Sequence, residues 1–239
     1  MLAAYGACMP VFVLRVWVPD RPGALGAVAS RIGAVRGDLI GIDILERGAG
    51  RAIDELVVEL PDGELVPLLI SEVGQVDGVD VEDVRSAPMT VVDPRLDALE
   101  TAAVLCEQES VDGLLGALVG RAGHDVEAEW AAVLDVDGGV NLAAVGTPPP
   151  TPWLAAFVSG SRSSPMATAE RGPDDMASAP LAIADLTLVL GRQRRPFRAR
   201  ERRQLAALAS IADHRWAELA RLDPRPAGPR HDPLASPRT

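Results

Sequence analysis

The hydrophobic period of residues 12–84 constrains the fold more than any other feature, because it changes repeatedly between two and about 3.6 residues. Apolar and polar side chains alternate from Phe12 to Val18, and apolar residues then recur at helical spacing from Leu25 to Ile32. The full pattern predicts strands at 12–18, 39–46, 52–60 and 79–84, a helix starting near 25, and a second helix at 66–73.

The predicted element order is βαββαβ within about 75 residues, which is the ferredoxin-like arrangement of two helices on one face of an antiparallel sheet. Turn residues punctuate this order. We expect Asp20 to cap the first helix, Pro22 to occupy its first turn and Gly37 to end it.

Two short segments of this region carry a family resemblance. The first is Asp20-Arg21-Pro22-Gly23-Ala24-Leu25, and the second is Gly37-Asp38-Leu39-Ile40. Together they resemble the signature of ACT domains, which are regulatory modules that bind amino acids and usually pair as dimers. The resemblance covers 12–85 and implies an ACT-like ligand-binding domain at 11–87, a small-molecule ligand and a homodimer.

The chemistry of the same segments also predicts a binding site. A helix start presents unpaired backbone N–H groups and a positive dipole end, both of which favour a carboxylate, and Gly23 leaves room for close approach. Asp38 stands where many ACT sequences have asparagine, and its carboxylate is able to accept from an α-ammonium group. The predicted ligand-binding residues are Asp20, Arg21, Pro22, Gly23, Ala24, Leu25, Asp38, Leu39 and Ile40.

Each of these features also has a purely structural interpretation. Asp20 would serve only as a helix cap, and Asp38 would serve only to stabilise a turn before a strand. Some ACT-like domains are dimerisation units without a ligand, so an assembly role stays open beside the sensing role.

The remainder of the chain predicts a second α/β domain at 94–222. Helices are expected at 96–106 and 111–119, a hairpin at 130–145, a short helix at 153–159, a mobile loop at 160–173, strands at 182–184 and 186–190, and a long final helix. This order, with the block from Ala179 to Arg192 and the Pro196-Phe197 pair, resembles a GAF domain with an antiparallel sheet. The whole chain is therefore predicted to be α+β.

Charge is distributed unevenly around the net value of −11. Residues 1–93 carry 7 Arg and 15 acidic side chains, 94–191 carry 4 and 14, and 192–239 carry 12 and 5. An acidic body disfavours general nucleic-acid binding, since phosphate contacts need a positive surface. The basic exception is the cluster from Arg192 to Arg203, interpreted either as a solvated surface that offsets the acidic body or as an anion, nucleic-acid or acidic-partner surface.

Catalytic and membrane signatures are missing from the sequence. The three histidines are isolated, no phosphate-loop or dinucleotide motif is present, and no apolar run approaches the ~20 residues that a bilayer requires. We therefore expect a non-enzymatic cytoplasmic protein without a cofactor, and a disordered proline-rich tail at 223–239. The favoured function is amino-acid sensing that acts through a protein partner; the rivals are an interaction scaffold and a nucleic-acid-associated regulator.

Overall fold

The computed structural model describes residues 9–87, 94–163 and 175–222. These residues form two antiparallel sheets of four strands with helices, so the mixed α and β class is confirmed. The N-terminal unit contains β1 (Val11–Pro19), α1 (Ala24–Ala34), β2 (Asp38–Gly48), β3 (Arg51–Glu59), a 3-10 turn (Gly63–Leu65), α2 (Val66–Val73) and β4 (Asp80–Ala87). The C-terminal unit contains α3 (Pro94–Glu107), α4 (Val111–Asp125), β5 (Trp130–Asp135), β6 (Val140–Val145), α5 (Thr151–Ser163), β7 (Met176–Leu181), β8 (Leu186–Gly191) and α6 (Ala199–Leu222).

The first sheet has the strand order β2-β3-β1-β4, with every neighbouring pair antiparallel. Period two places alternate residues of β1 on one face, where they pack with α1 and α2. This first core includes Leu14, Val16, Val18, Val28, Ile32, Leu56, Val58, Leu69 and Val73. Edge strand β2 is paired to β3 through two irregular registers, one between Leu39 and Gly41.

The start of α1 differs from the prediction. Gly23 occupies the N-cap position with φ of 86°, and no described side chain caps the helix. Asp20 instead donates its backbone N–H to the carbonyl of Gly50 at 2.9 Å. Pro22 also lies in the preceding turn rather than in the first helical turn. The predicted cap by Asp20 is wrong because the chain needs three further turn residues before it can enter the helix.

The end of α1 has a Schellman arrangement. The N–H of Gly37 donates to the carbonyl of Ile32 at 3.0 Å, and that of Arg36 donates to Gly33 at 3.0 Å. The left-handed position is filled by Arg36, with φ of 61°. Gly37 is required for a different reason, since a Cβ there would come within 2.9 Å of the Ile32 side chain.

The second sheet has the strand order β6-β5-β8-β7 and carries apolar residues on both faces. The larger core packs α3, α4 and α6 against one face, with Leu114, Leu118, Val133, Leu188 and Leu208 among its members. A smaller cluster on the other face joins the sheet to Leu154 and Val158 of α5. This arrangement explains why β8 is buried along its whole length.

One strand of the C-terminal unit lies earlier in the chain than predicted. Residues 182–184 are a turn, and the strand before β8 is β7. Both carboxylate oxygens of buried Asp213 on α6 accept backbone N–H groups of this turn, from Ile183 at 2.8 Å and Ala184 at 2.9 Å. Pro180 is tolerated in β7 because that strand is at an edge of the sheet.

Several predictions fall outside the described residues. They are the tail at 223–239, most of the loop at 160–173 and most of the boundary at Pro88 to Pro94. The division into domains therefore stays a prediction. Across the described ranges, no helix combines the length and apolar character that a bilayer crossing needs.

Candidate functional site

The predicted site begins in the turn between β1 and α1. Gly23 has a left-handed backbone that favours glycine, and the amides that follow it in the first turn, including those of Leu25 and Gly26, have no partner within the helix. Nothing lies within 4 Å of a Cβ built on Gly23. The turn therefore offers backbone donors in an open space, which is the arrangement that carboxylates and phosphates favour.

The side chains of this turn make few contacts. Asp20 and Pro22 are exposed, while Arg21 approaches only Asp77, at 3.5 Å between two exposed groups. Ala24 is buried in the first core and Leu25 packs against it. The turn therefore presents Asp20, Arg21 and backbone amides to solvent, whereas Ala24 serves packing.

Asp38, Leu39 and Ile40 lie at the opposite end of the sheet. Asp38 is paired with Glu59, which is in turn opposite Val11 at the start of β1. Asp20 comes directly after Pro19, at the other end of β1. The nine residues from Val11 to Pro19 are joined by eight steps of about 3.3 Å, so the strand spans about 26 Å. Within a single chain, the structure does not bring the two halves of the predicted site together.

The helix-side face of β2 is only partly covered. Ile40, Ile42 and Ile44 are exposed by 36%, 46% and 39%, and β2 pairs with β3 alone among the described strands. Asp38 is exposed and Leu39 contacts the first core. A long edge strand with three exposed isoleucines is a surface that proteins usually protect or pair.

Asp54 on β3 is a candidate that the sequence analysis missed. Its side chain is 4% exposed, and its Oδ1 has no hydrogen-bond partner among the described residues. Burial raises the pKa of Asp54; Arg47 opposes this effect and Asp20 adds to it. The signal was available, because Asp54 shares the phase of Leu56 and Val58 and is thus a carboxylate in the apolar phase of a strand.

The opposite face of the first sheet is ionic. It is formed by Arg15, Trp17, Glu55, Glu82 and Arg85, and we call it the ionic face. Arg15 is only 1% exposed; its Nε and Nη2 both donate to Glu55 Oε1, at 3.1 and 2.8 Å, and its Nη1 donates to the carbonyl of Pro196 at 3.0 Å. Burial alone would raise the pKa of Glu55, but Arg85 and Arg15 hold that pKa below its ordinary value.

The arginine segment, residues 192–203, covers the ionic face. Arg198 lies 2.6 Å from Glu82 and Arg195 lies 2.8 Å from Glu127, which in turn is 2.8 Å from Arg85. Arg200 pairs with Asp43 of β2. Four arginines of the segment thus pair with acids of the chain, the fourth being Arg192, which is 2.7 Å from Glu201.

The arginine segment was interpreted mainly as a solvated surface, and this was wrong for its inward-facing members. Arg192 is 3% exposed, and its guanidinium lies 4.1 Å from the centroid of the Phe197 ring. Burial lowers the pKa of Arg192, although Glu201 opposes the shift. Arg194 and Arg203 remain exposed.

No described set of three or more His, Cys, Asp or Glu side chains is arranged to hold a metal ion. The described residues offer several groups for polar recognition: backbone N–H donors at α1, a buried carboxyl at Asp54 and exposed carboxylates at Asp20 and Asp38.

Comparisons with known proteins add little to this geometry. No protein-family model and no curated protein matches the chain. Among solved structures, the GAF domain of an Acinetobacter phosphoenolpyruvate-protein phosphotransferase is similar, with a TM-score of 0.39 and 14% identity over 55% of this chain and 97% of that one. An unknown protein from Galdieria sulphuraria has a TM-score of 0.31 and 10% identity over 87% and 94%. At such low TM-scores, neither likeness supports an inference about this chain.

Proposed function

We propose that the protein is a non-enzymatic, cytoplasmic regulator that senses a free amino acid through an ACT-type N-terminal module. The observation that carries the proposal is the turn before α1, where a glycine N-cap leaves the first-turn amides open to a carboxylate. The ligand class follows from the two kinds of group in the proposed site. The amide donors favour a carboxylate, and the carboxylates of Asp20 and Asp38 favour an ammonium group.

The strand order of the first sheet supports the ACT-type assignment. In β2-β3-β1-β4, the two strands that precede the helices, β1 and β3, occupy the centre, and the core residues of both helices meet one face. This strand order supports the ferredoxin-like arrangement proposed for the βαββαβ unit.

A second copy of the chain completes the proposed site. If the β2 edges of two copies pair antiparallel, the Asp38 end of one strand lies beside the Gly48 end of the other. The Gly48 end adjoins the turn before α1, because Asp20 bonds to Gly50 at 2.9 Å. The same pairing satisfies the free backbone edge of β2 and places the exposed isoleucines of the two copies side by side, so a homodimer accounts for both the split site and the exposed edge.

The ionic face supports a route for the output. Arg15, Arg85 and Glu82 on the sheet contact residues of the C-terminal unit, which we propose to be a GAF-like domain. A ligand that changes the N-terminal dimer would then alter the C-terminal unit and the protein partner bound to it.

An assembly scaffold without a ligand is the second candidate, favoured by the exposed isoleucines of β2. The nucleic-acid alternative receives less support, because Arg192, Arg195, Arg198 and Arg200 are paired with carboxylates of the chain.

Thermal unfolding of the full chain against each of the twenty proteinogenic amino acids tests the proposal. A ligand that binds the folded state raises the midpoint, by an amount set by its concentration relative to Kd. We expect one amino acid or a related group to do so, and Asp38→Ala to abolish the rise. Asp137→Ala, in an exposed turn of the C-terminal unit, should leave it intact.

Light scattering separates the two candidates. If no amino acid raises the midpoint while the wild type is a dimer and Ile42→Asp is a monomer, the N-terminal unit is an assembly module and the sensing proposal fails. A monomeric wild type that binds an amino acid would instead refute the shared site.

A further inference from the structure

Asp54 is the most unusual polar group in the N-terminal unit. Its carboxyl lies on an apolar face and the residue is only 4% exposed. One of its oxygens, Oδ1, accepts no hydrogen bond from any described residue. Buried polar groups in folded proteins are nearly always paired, because leaving one unpaired costs the full desolvation penalty. Such a group destabilises the folded chain unless something else donates to it.

The position of Asp54 connects it to the turn before α1. Asp54 is level with Val16 on β1, three residues before the end of that strand, and with Ile44 on β2. Since Asp54 shares the phase of Leu56, its side chain points to the face on which α1 packs. The buried carboxyl and the open amides of α1 therefore lie at the same end and on the same face of the sheet.

The charges around Asp54 are few. Asp20 in the turn and Arg47 on β2 are the groups whose charges act on it. Asp20 is a second carboxylate, so it cannot donate to Asp54, and Arg47 is exposed. This end of the sheet thus combines amide donors for an anion with a buried acceptor for a cation.

We propose that Asp54 accepts the α-ammonium group of the ligand and so makes the site selective for free amino acids over other small carboxylates. The inference rests on the proposed function and deepens it by naming the residue that reads the amine. A ligand that carries both charges on one carbon satisfies the α1 amides and Asp54 together. A hydroxy acid satisfies the amides alone, since its hydroxyl forms a weaker, uncharged hydrogen bond with the carboxylate.

The test compares amino acids with their 2-hydroxy acid analogues by calorimetric titration of the full chain. We expect the wild type to prefer the amino acid, and Asp54→Asn to weaken amino-acid binding by roughly 10- to 100-fold, the size of one lost charge-assisted hydrogen bond. Binding of the 2-hydroxy acid should change little, so the preference should fall towards one. Asp137→Asn is the matched control and should keep the wild-type preference.

Folding is controlled for in the same series. Asp54→Asn removes a buried carboxyl without changing its shape, so its unliganded midpoint should equal or exceed that of the wild type; Asp54→Ser provides a second variant if the amide misfolds. Arg47→Gln tests whether an internal ion pair explains Asp54 instead, and it should retain the preference for the amino acid.

The outcomes are distinct for the two proposals. If wild type binds an amino acid and Asp54→Asn retains the preference, this inference is overturned while the sensing function stands. If none of the twenty amino acids binds to the wild type, both fail together. Loss of the preference in Arg47→Gln with Asp54→Asn unaffected would also refute the role of Asp54.

Discussion

The two faces of the first sheet are built from neighbouring residues yet follow different chemistry. On β1, Leu14 and Val16 enter a dry apolar core beneath α1 and α2, while Arg15 between them is equally buried on the ionic face. On β3, Asp54 and Glu55 are adjacent and also point in opposite directions. Burial raises the pKa of Asp54, whereas Arg85 and Arg15 overcome the effect of burial and lower the pKa of Glu55.

The contrast shows that a charged strand face is not necessarily a solvated one. Hydrophobic contacts have no preferred direction, so any close packing of similar volume satisfies the apolar face. The ionic face is satisfied only by particular partners at particular places, because each buried charge needs a counter-charge and hydrogen bonds. Some of those partners are more than a hundred residues away in the chain, such as Glu201 for Arg15 and Arg198 for Glu82.

The largest expected effect tests whether the ionic face is as integral as the apolar one. Glu201 accepts from Arg192 and lies 3.6 Å from Arg15, so Glu201→Gln removes the acid paired with buried Arg192 and leaves buried Arg15 with Glu55 alone. We expect a loss of about 3 kcal/mol in the free energy of unfolding, measured with urea. Leu56→Ala on the apolar face should cost a similar amount, about 2–5 kcal/mol. A Glu201→Gln loss below about 0.5 kcal/mol would show that the ionic face is solvated.

A smaller loss is expected at Trp17, where the two units meet. Its Nε1 donates to Glu82 at 2.6 Å, and the guanidinium groups of Arg51 and Arg198 lie over its ring. Trp17→Phe should therefore cost about 1 kcal/mol, mostly through the hydrogen bond. Trp153→Phe, at a half-exposed ring, should change stability little. Equal losses in the free energy of unfolding for Trp17→Phe and Trp153→Phe would show that the polar contacts of Trp17 add no stability.

The adjacent carboxyls of β3 predict opposite pH dependences. The pKa of Glu55 is lowered in the folded state, so its contribution is present above its unfolded pKa and is lost as pH falls through the folded pKa. The pKa of Asp54 is raised, so stability falls as pH rises from its ordinary pKa to the raised one. In urea titrations between acidic and neutral pH, Glu55→Gln should flatten the acid loss and Asp54→Asn should steepen it. Slopes that change in the same direction would contradict the assignment of the two faces.

The last prediction concerns the helix that covers the apolar face. Arg36 holds a left-handed backbone at the end of α1, and glycine adopts that conformation without a steric penalty. Arg36→Gly should raise the free energy of unfolding by about 0.5–1 kcal/mol. Ala27→Gly, at an exposed position within the same helix, should lower it by about 1 kcal/mol. A loss in Arg36→Gly would show that its side chain makes a compensating contact.

The candidate site was predictable in its parts but not in its arrangement. The Pro22-Gly23 turn and the start of β2 were visible as motifs, because turn residues act locally. Their separation by the length of the sheet follows from strand direction: β1 and β2 both run antiparallel to β3, so the end of β1 and the start of β2 lie at opposite ends. Asp54 could be recognised in the sequence as a charged residue at an apolar position of β3. Its burial, and the lack of a described hydrogen-bond partner for its Oδ1, depend on what packs above it.

Local sequence was sufficient for the strands and helices of the N-terminal unit and for the apolar face of its sheet, since both follow from periodicity within a few residues. It failed where a distant group decided the outcome, since Asp213 holds residues 183 and 184 as a turn. The start of α1 is a local error, because Gly23 rather than Asp20 occupies the N-cap. The ionic face is the clearest case. Whether Arg198 contacts water or Glu82 is decided only when the fold brings together these two residues, which are 116 positions apart in the chain. The reason is that the energy of a charge depends on its surroundings rather than on its neighbours in sequence.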